Sequence, residues 1–379
     1  ALLGANIIKI EPPTGGDQMR NRVLESQFSA IGMAAGFLAM NIGKRSLGLD
    51  IKSEKGKEIL FSLIKKSDVI LHNFRAGVVD RLGLDYESVK AINPSIVYTV
   101  ISGFGAKGPR SADPAYDGAI QAAAGMMANN GTAESGPLRT GYMPVDLMTG
   151  MTAAYATTAA LLRKQKTGEG QMVDVAMLDC AITLGSANFA RSEVDDVPDM
   201  LIGNQSITSV PTASSFPTAD GSILTAAIMP NHVEAFFDEI GLKEMLNDPK
   251  FATREARIEN KEIVRDAMIE ALQSDTAENW EKRLAPRGVP VAKINSVSET
   301  SKLEQLKYRN ILAKVPPAKG MENGFKLPGA PFTNSEDGPE VMRPAPVLGQ
   351  HTEEILEEIG IDKSTISILE AEGVICKDG

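Results

Sequence analysis

Between residues 46 and 102 the chain alternates two kinds of segment, and no other stretch restricts the fold as strongly. Ser46 to Leu49, Asp68 to His72 and Ser95 to Ser102 read as short strands, the second of a buried type and the third apolar and β-branched. Ser53 to Ser67 and Leu84 to Ala91 are helical in pattern; Ser53 is placed to cap the first, whose apolar face is Ile59, Leu60, Leu63 and Ile64. Strand, helix, strand, helix, strand predicts an α/β fold, a parallel sheet with helices packed on its faces. A further strand, Asn6 to Ile10, is stopped by Glu11-Pro12-Pro13. Ligands of such sheets bind beyond the carboxyl ends of the strands. Those ends carry Glu11, Asn73-Phe74-Arg75 and Gly103-Phe104-Gly105.

Downstream, Tyr116 to Met127 reads as a helix, Gln171 to Met177 as a strand and Leu178 to Phe189 as a helix. Residues 193 to 215 are acidic, then Pro- and Ser/Thr-rich, and read as a linker. A second unit follows, with strands Ser214 to Pro217 and Ser222 to Ile228, helices Pro230 to Ile240, Lys261 to Leu272 and Thr276 to Leu284, and a strand near Gly288 to Ile294. The last helix expected is Thr352 to Ile359, with acidic residues on its exposed side.

Several chemistries are disfavoured. Gly103-Phe-Gly105-Ala-Lys-Gly108 has dinucleotide-fingerprint spacing, but Pro109 and a polar run follow where a helix must receive the pyrophosphate. Gly43-Lys44 is no P-loop, because Leu38 stands where its first glycine belongs. The three histidines, His72, His232 and His351, are scattered, no metal-binding motif occurs, and no metal site is expected. His72, at a strand end, reads as structural. A G-x-S-x-G nucleophile elbow is also missing. A net charge of −10 disfavours nucleic-acid partners. No apolar run spans a bilayer, so no membrane partner is expected. Two cysteines, Cys180 and Cys376, favour a reducing compartment, taken as the cytoplasm.

Among the remaining nucleophiles a carboxylate stands out. Gly141-Tyr-Met-Pro-Val-Asp146 precedes a run that places Leu147, Met151, Ala154, Tyr155, Thr158 and Leu162 on one helical face. Asp146 is expected at the boundary, either as the N-cap or as a carboxylate nucleophile beside the positive end of the helix dipole. One residue can serve both roles.

After that helix comes Gly168-Glu-Gly170-Gln-Met-Val-Asp174-Val-Ala-Met-Leu-Asp179. With Gly4-Ala-Asn-Ile-Ile-Lys9-Ile-Glu11, Gly43-Lys44-Arg45-Ser46-Leu47-Gly48-Leu49-Asp50, Asn73-Phe74-Arg75-Ala-Gly77, Arg81-Leu-Gly83, Ser102-Gly-Phe-Gly105 and Pro346-Val-Leu348-Gly349-Gln-His351-Thr352, it resembles the family III coenzyme A transferases. That family spans formyl-CoA transferase, carnitine CoA-transferase and the related alpha-methylacyl-CoA racemases, and the pieces fall in the family order over nearly the whole chain.

The resemblance implies a Rossmann-like parallel-sheet domain over 1–195, a linker and small α+β domain over 196–305, and a segment over 306–379 that returns to the large domain. It also implies an interlocked homodimer. Ala1-Leu-Leu-Gly4 reads as the end of a helix, so the family's first strand and helix are expected to be missing here. Coenzyme A is implied as a substrate and carrier, with no tightly bound cofactor; its partners are an acyl-CoA and a carboxylic acid. The implied catalytic residue is Asp146, working through aspartyl anhydride and aspartyl-CoA thioester intermediates, with backbone N–H groups at the helix start stabilising the oxyanions. The implied cofactor-binding residues are Arg20, Leu49, Ile51, Lys52, Asn73, Phe74, Arg75, Arg81, Tyr116 and Asp117. Gly203-Asn204-Gln205-Ser206 is not the glycine-rich loop that some family transferases close over the intermediate. A 2-methylacyl-CoA racemase and an inactive CoA-binding relative stand as alternatives. Against the racemase, Tyr116 occupies the position where the related racemases carry a histidine, and a phenol is a poor base at neutral pH.

Overall fold

A computed structural model describes residues 1–21 and 27–377 of the chain. The chain divides into two compact units: Ala1–Pro114 with Thr149–Ala176 and Ser301–Gly379, and Ala115–Met148 with Met177–Thr300. The second unit therefore takes in 115–148 and 177–195, segments that the sequence reading groups with the large domain. The fold is mixed α/β with several small sheets.

In the first unit, Ala1 to Gly4 closes a turn, with Gly4 N donating to Ala1 O at 2.9 Å. Strand β1 (Ile8–Glu11) runs parallel to β2 (Arg45–Leu49). The Ser53 hydroxyl accepts from Gly56 N and starts helix α1 (Glu54–Lys66), a cap of about 1 kcal/mol. Ile59, Leu60, Leu63 and Ile64 are buried as their spacing predicts, each contributing roughly 2 kcal/mol. They pack with Leu47, Leu49, Ile96, Tyr98 and Val100 in one core. Next come β3 (Val69–His72), α2 (Val78–Leu82), α3 (Tyr86–Ile92) and β4 (Val97–Ser102). Strands β3, β4 and β5 (Gln171–Ala176) make a parallel sheet with Val97 opposite both Val69 and Gln171.

Two expectations are corrected here. The described parallel strands form two three-stranded sheets instead of one, because the second edge of β2 is taken by an antiparallel strand, Ile375–Cys376. Gly48 makes that approach possible: a Cβ there would lie 2.1 Å from Cys376 Sγ. Strand β3 is an edge strand, not a buried one, with Leu71 53% exposed.

The Thr352–Glu358 helix is followed by another, Lys363–Ala371, which the sequence reading missed. Glu354 and Glu358 do not simply face solvent; both pair with the buried Arg45 guanidinium of β2. The pieces around Ser46 and around Gly349, remote in sequence, meet. Gly349 N donates to Ser46 Oγ at 3.0 Å, Ser46 N to His351 Nδ1 at 3.2 Å and Gly48 N to Thr352 Oγ1 at 3.1 Å.

The second unit holds an antiparallel sheet in the order Val291–Lys293, Ser222–Thr225, Ser215–Pro217. Helices Pro230–Glu239, Lys261–Leu272 and Ala277–Leu284 share a core with it that includes Phe216, Ile223, Phe236, Val264 and Trp280. It also contains α4 (Asp117–Ala123) and the opening of α5 (Pro144–Thr167). The helix expected at 178–189 is two, Met177–Leu184 and Ser186–Asp195, parted at Gly185. No helix among the described residues is long and apolar enough to cross a membrane.

Candidate active site

Asp146 is the third residue of α5, not its cap. Pro144 begins the helix, as its fixed φ and missing N–H favour at that position. The cap comes from a distant carboxylate. Asp117 Oδ2 accepts from Val145 N at 2.9 Å and from Asp146 N at 3.1 Å. These are charge-assisted bonds to donors that a helix start leaves unsatisfied. Leu147 N donates to Met143 O at 3.2 Å. The N–H groups of 145 to 147 are thus committed, which corrects the expectation that the helix start serves as the oxyanion hole.

Asp117 is buried and is itself held by Gln121, whose Nε2 donates to Asp117 Oδ1 at 2.5 Å. Partial burial, and after it the Asp117 carboxylate, raise the pKa of Asp146 above that of an ordinary aspartate. The side chain of Asp146 stays exposed, and Tyr116 is 61% exposed at the start of α4. Asp117 faces the backbone of α5, so it holds the helix start instead of a cofactor.

In the first unit the predicted cofactor residues separate into two groups. Arg20 and Leu49 are buried. The Arg20 guanidinium grips Glu11 with two bonds of 2.7 Å, donates to the carbonyls of Gly32 and Pro346 at 3.2 Å, and lies 3.9 Å over the Phe37 ring. The Arg20 donors therefore point into the protein, where they brace Glu11 and the carbonyls of Gly32 and Pro346. The Leu49 side chain fills the core.

Lys52, Asn73, Phe74, Arg75 and Arg81 are exposed, and Ile51 is half-buried. They follow the carboxyl ends of β2 and β3, Arg81 from α2. His72 fixes the turn after β3. Tyr98 Oη donates to Leu84 O, so it accepts from His72 Nε2, while His72 Nδ1 accepts from Phe74 N. This arrangement needs neutral imidazole, and burial lowers its pKa to about 4. His72 is structural, as expected.

The sequence-family model for CoA-transferase family III matches residues 1–352. The chain belongs to CoA-transferase family III. A formyl-CoA:oxalate CoA-transferase of Streptomyces coelicolor is 33% identical over 99% of this chain and 93% of its own length. A succinate–glutarate CoA-transferase of Agrobacterium fabrum is 30% identical over 94% and 89%. Among solved structures, a CAIB/BAIF family protein from Brucella suis superposes with a TM-score of 0.83 at 29% identity, covering 94% of this chain and 92% of that one. This family III CoA-transferase is an enzyme of the acyl-CoA:carboxylate class, with coenzyme A as the carried group.

Sequence reasoning missed Gln121 and Thr140. A signal for the first was present: Asp117 and Gln121 stand four apart on an expected helix, spacing at which such side chains bond. For Thr140, in a loop, the sequence held none.

Proposed function

We propose that this transferase moves coenzyme A from an acyl-CoA thioester to a free carboxylic acid with Asp146 as the covalent nucleophile. The observation that carries the reading is the division of labour at the start of α5: Asp117 caps the helix, and the Asp146 carboxylate is left for chemistry. Asp146 attacks the thioester carbonyl, the C–S bond breaks, and a mixed anhydride forms as CoA thiolate departs. The thiolate attacks the aspartyl carbonyl and expels the donor acid as its carboxylate, leaving an aspartyl-CoA thioester. The acceptor carboxylate attacks that thioester and again releases thiolate. Attack of the thiolate on the acceptor's carbonyl then yields the new acyl-CoA and free Asp146. Covalent catalysis divides one slow exchange into easier steps.

In this reading Lys52, Arg75 and Arg81 face the CoA phosphates, with Asn73, Phe74 and Ile51 beside the adenine end and Tyr116 on the acyl side. Arg20, Leu49 and Asp117 hold the frame. The acids named for the two relatives, oxalate, succinate and glutarate, are dicarboxylates, and a small dicarboxylate is the proposed acceptor class.

We further propose the Rossmann-like and small α+β domain organisation, a cytoplasmic location and an interlocked homodimer. In support of the dimer, Leu147, Met151, Tyr155 and Leu162 form an exposed apolar stripe along α5 in the single chain. Light scattering at micromolar concentration should give twice the chain mass; a monomer would contradict it.

Incubating the protein with acyl-CoAs and free acids, followed by mass spectrometry, tests the function. New acyl-CoAs of the added acids are expected, with a CoA adduct on Asp146 during turnover. Loss of optical purity of a 2-methylacyl-CoA in deuterated water, with no exchange onto acids, would replace this reading with racemisation.

A further inference from the structure

Gln121 is a buried amide with its hydrogen-bonding groups engaged. Its Nε2 donates to Asp117 Oδ1 at 2.5 Å and to Thr140 Oγ1 at 3.1 Å, and its Oε1 accepts from Thr140 N at 3.1 Å. Thr140 Oγ1 in turn donates to Tyr142 O at 2.9 Å. The other oxygen of Asp117 holds the N–H groups of Val145 and Asp146. One side chain on α4 therefore ties down the chain before the nucleophile, at 140 to 142, and through Asp117 the helical turn that carries it. The amide has one workable orientation. Exchanging its O and N would set an oxygen against the Asp117 carboxylate and an NH2 against Thr140 N–H. A buried network satisfied on every side holds a single geometry.

We propose that Gln121 is a positioning residue for Asp146: it fixes the rotation of the Asp117 carboxylate, and with it the first turn of α5 from which the Asp146 carboxylate meets the thioester. The proposal rests on the nucleophile reading above. The Gln121 amide bonds Asp117 and Thr140 and not the Asp146 carboxylate; its effect is orientation, to which covalent steps are sensitive at the scale of about 1 Å.

Hydrogen-bond polarity supplies the test. Gln121→Glu brings two carboxylates together. Asp117→Asn sets an NH2 against the Gln121 NH2, or against the helix N–H groups. The double variant, Asp117→Asn with Gln121→Glu, restores the match between positions 117 and 121, toward α5 and toward Thr140 N; Thr140 Oγ1 alone loses its donor. The carbonyl of the new amide caps α5, its NH2 donates to the new carboxylate on α4, and that carboxylate accepts from Thr140 N. Hydroxylamine during turnover attacks the aspartyl thioester and expels CoA, leaving a hydroxamate on Asp146 that mass spectrometry counts. Rates are expressed per trapped site, so unfolded molecules drop out.

Each single variant should lose about 10-fold or more in kcat per trapped site, with KM for acyl-CoA changed less than about 2-fold, and the double variant should recover most of it. A purely structural role would lower the number of trapped sites and the Tm while leaving kcat per site alone. Wild-type kcat per site in both single variants, or no recovery in the double, overturns the proposal. Should the buried variants fail to fold, Thr140→Val at its partly exposed position decides: a fall of about 3-fold or more supports the proposal, and no change overturns it. A wild-type protein that exchanges CoA but yields no hydroxamate on Asp146 refutes the nucleophile reading itself, a result distinct from the other outcomes.

Discussion

Glu11 in the first unit and Asp117 in the second are both buried carboxylates, 2% and 7% exposed, and they are satisfied in opposite ways. Glu11 meets a full positive charge, the bidentate Arg20 guanidinium, and also accepts from Ser46 Oγ at 2.8 Å. Asp117 meets dipoles: two backbone N–H groups at a helix start and one side-chain amide. A carboxylate paired with arginine is neutral to its surroundings and works as a strut. A carboxylate held by dipoles presents its negative charge to its surroundings, and at Asp146 that charge adds to partial burial, the larger cause, in raising the pKa. Resemblance to a family marks both neighbourhoods alike. Partner chemistry separates the two.

The sharpest break between them should come from Asp146→Asn. Loss of the covalent nucleophile is expected to lower kcat on the order of 10⁴-fold or more. Stability should move the other way. A folded-state pKa above the unfolded value means the folded protein binds that proton more tightly, so stability falls as pH rises through the aspartate range. The neutral Asn escapes this, and a Tm at pH 7 equal to or above wild type is expected by thermal denaturation. A clear drop in Tm would return the capping role to Asp146.

Arg20→Met attacks the strut. It strands Glu11 in the interior and should cost roughly 3–5 kcal/mol in urea denaturation, most of it regained in Arg20→Met/Glu11→Leu. If Arg20→Met instead raises KM for CoA at unchanged stability, Arg20 is a phosphate ligand and the contrast collapses. His72 offers a third, smaller case, an ionisable group kept neutral by neutral partners. Its pKa drops from 6.5 to about 4, so the unfolded chain takes up the proton first. Stability should fall by roughly 2–3 kcal/mol as pH drops between those values, by acid titration of the unfolding midpoint, and His72→Gln should lack that slope.

The sequence was most legible where local pattern and burial agree. The face of α1 is buried residue for residue, and the helix Lys261–Leu272 has the bounds its spacing predicts. It was least legible where a partner comes from far along the chain. Nothing near Asp146 says that its helix is capped by Asp117, and nothing near Arg20 says that Pro346 O and Glu11 will take its donors. The stripe from Leu147 to Leu162 shows a further limit, since periodicity finds an apolar face without saying what covers it.

The clasp on β2 has a consequence for how the protein is made. One edge of this strand pairs with Ile8–Glu11, translated shortly before it, and the other with Ile375–Cys376. At roughly 5–20 residues per second, a ribosome needs some tens of seconds to travel from Gly48 to Cys376. Through that interval the second edge of β2 lacks its native neighbour, an open template for pairing with another nascent chain. The second unit, whose last residue is Thr300, can complete its own core well before. Slow synthesis or premature termination late in the message would therefore yield a chain with one finished unit and one adhesive strand, the species that chaperones hold and proteases clear.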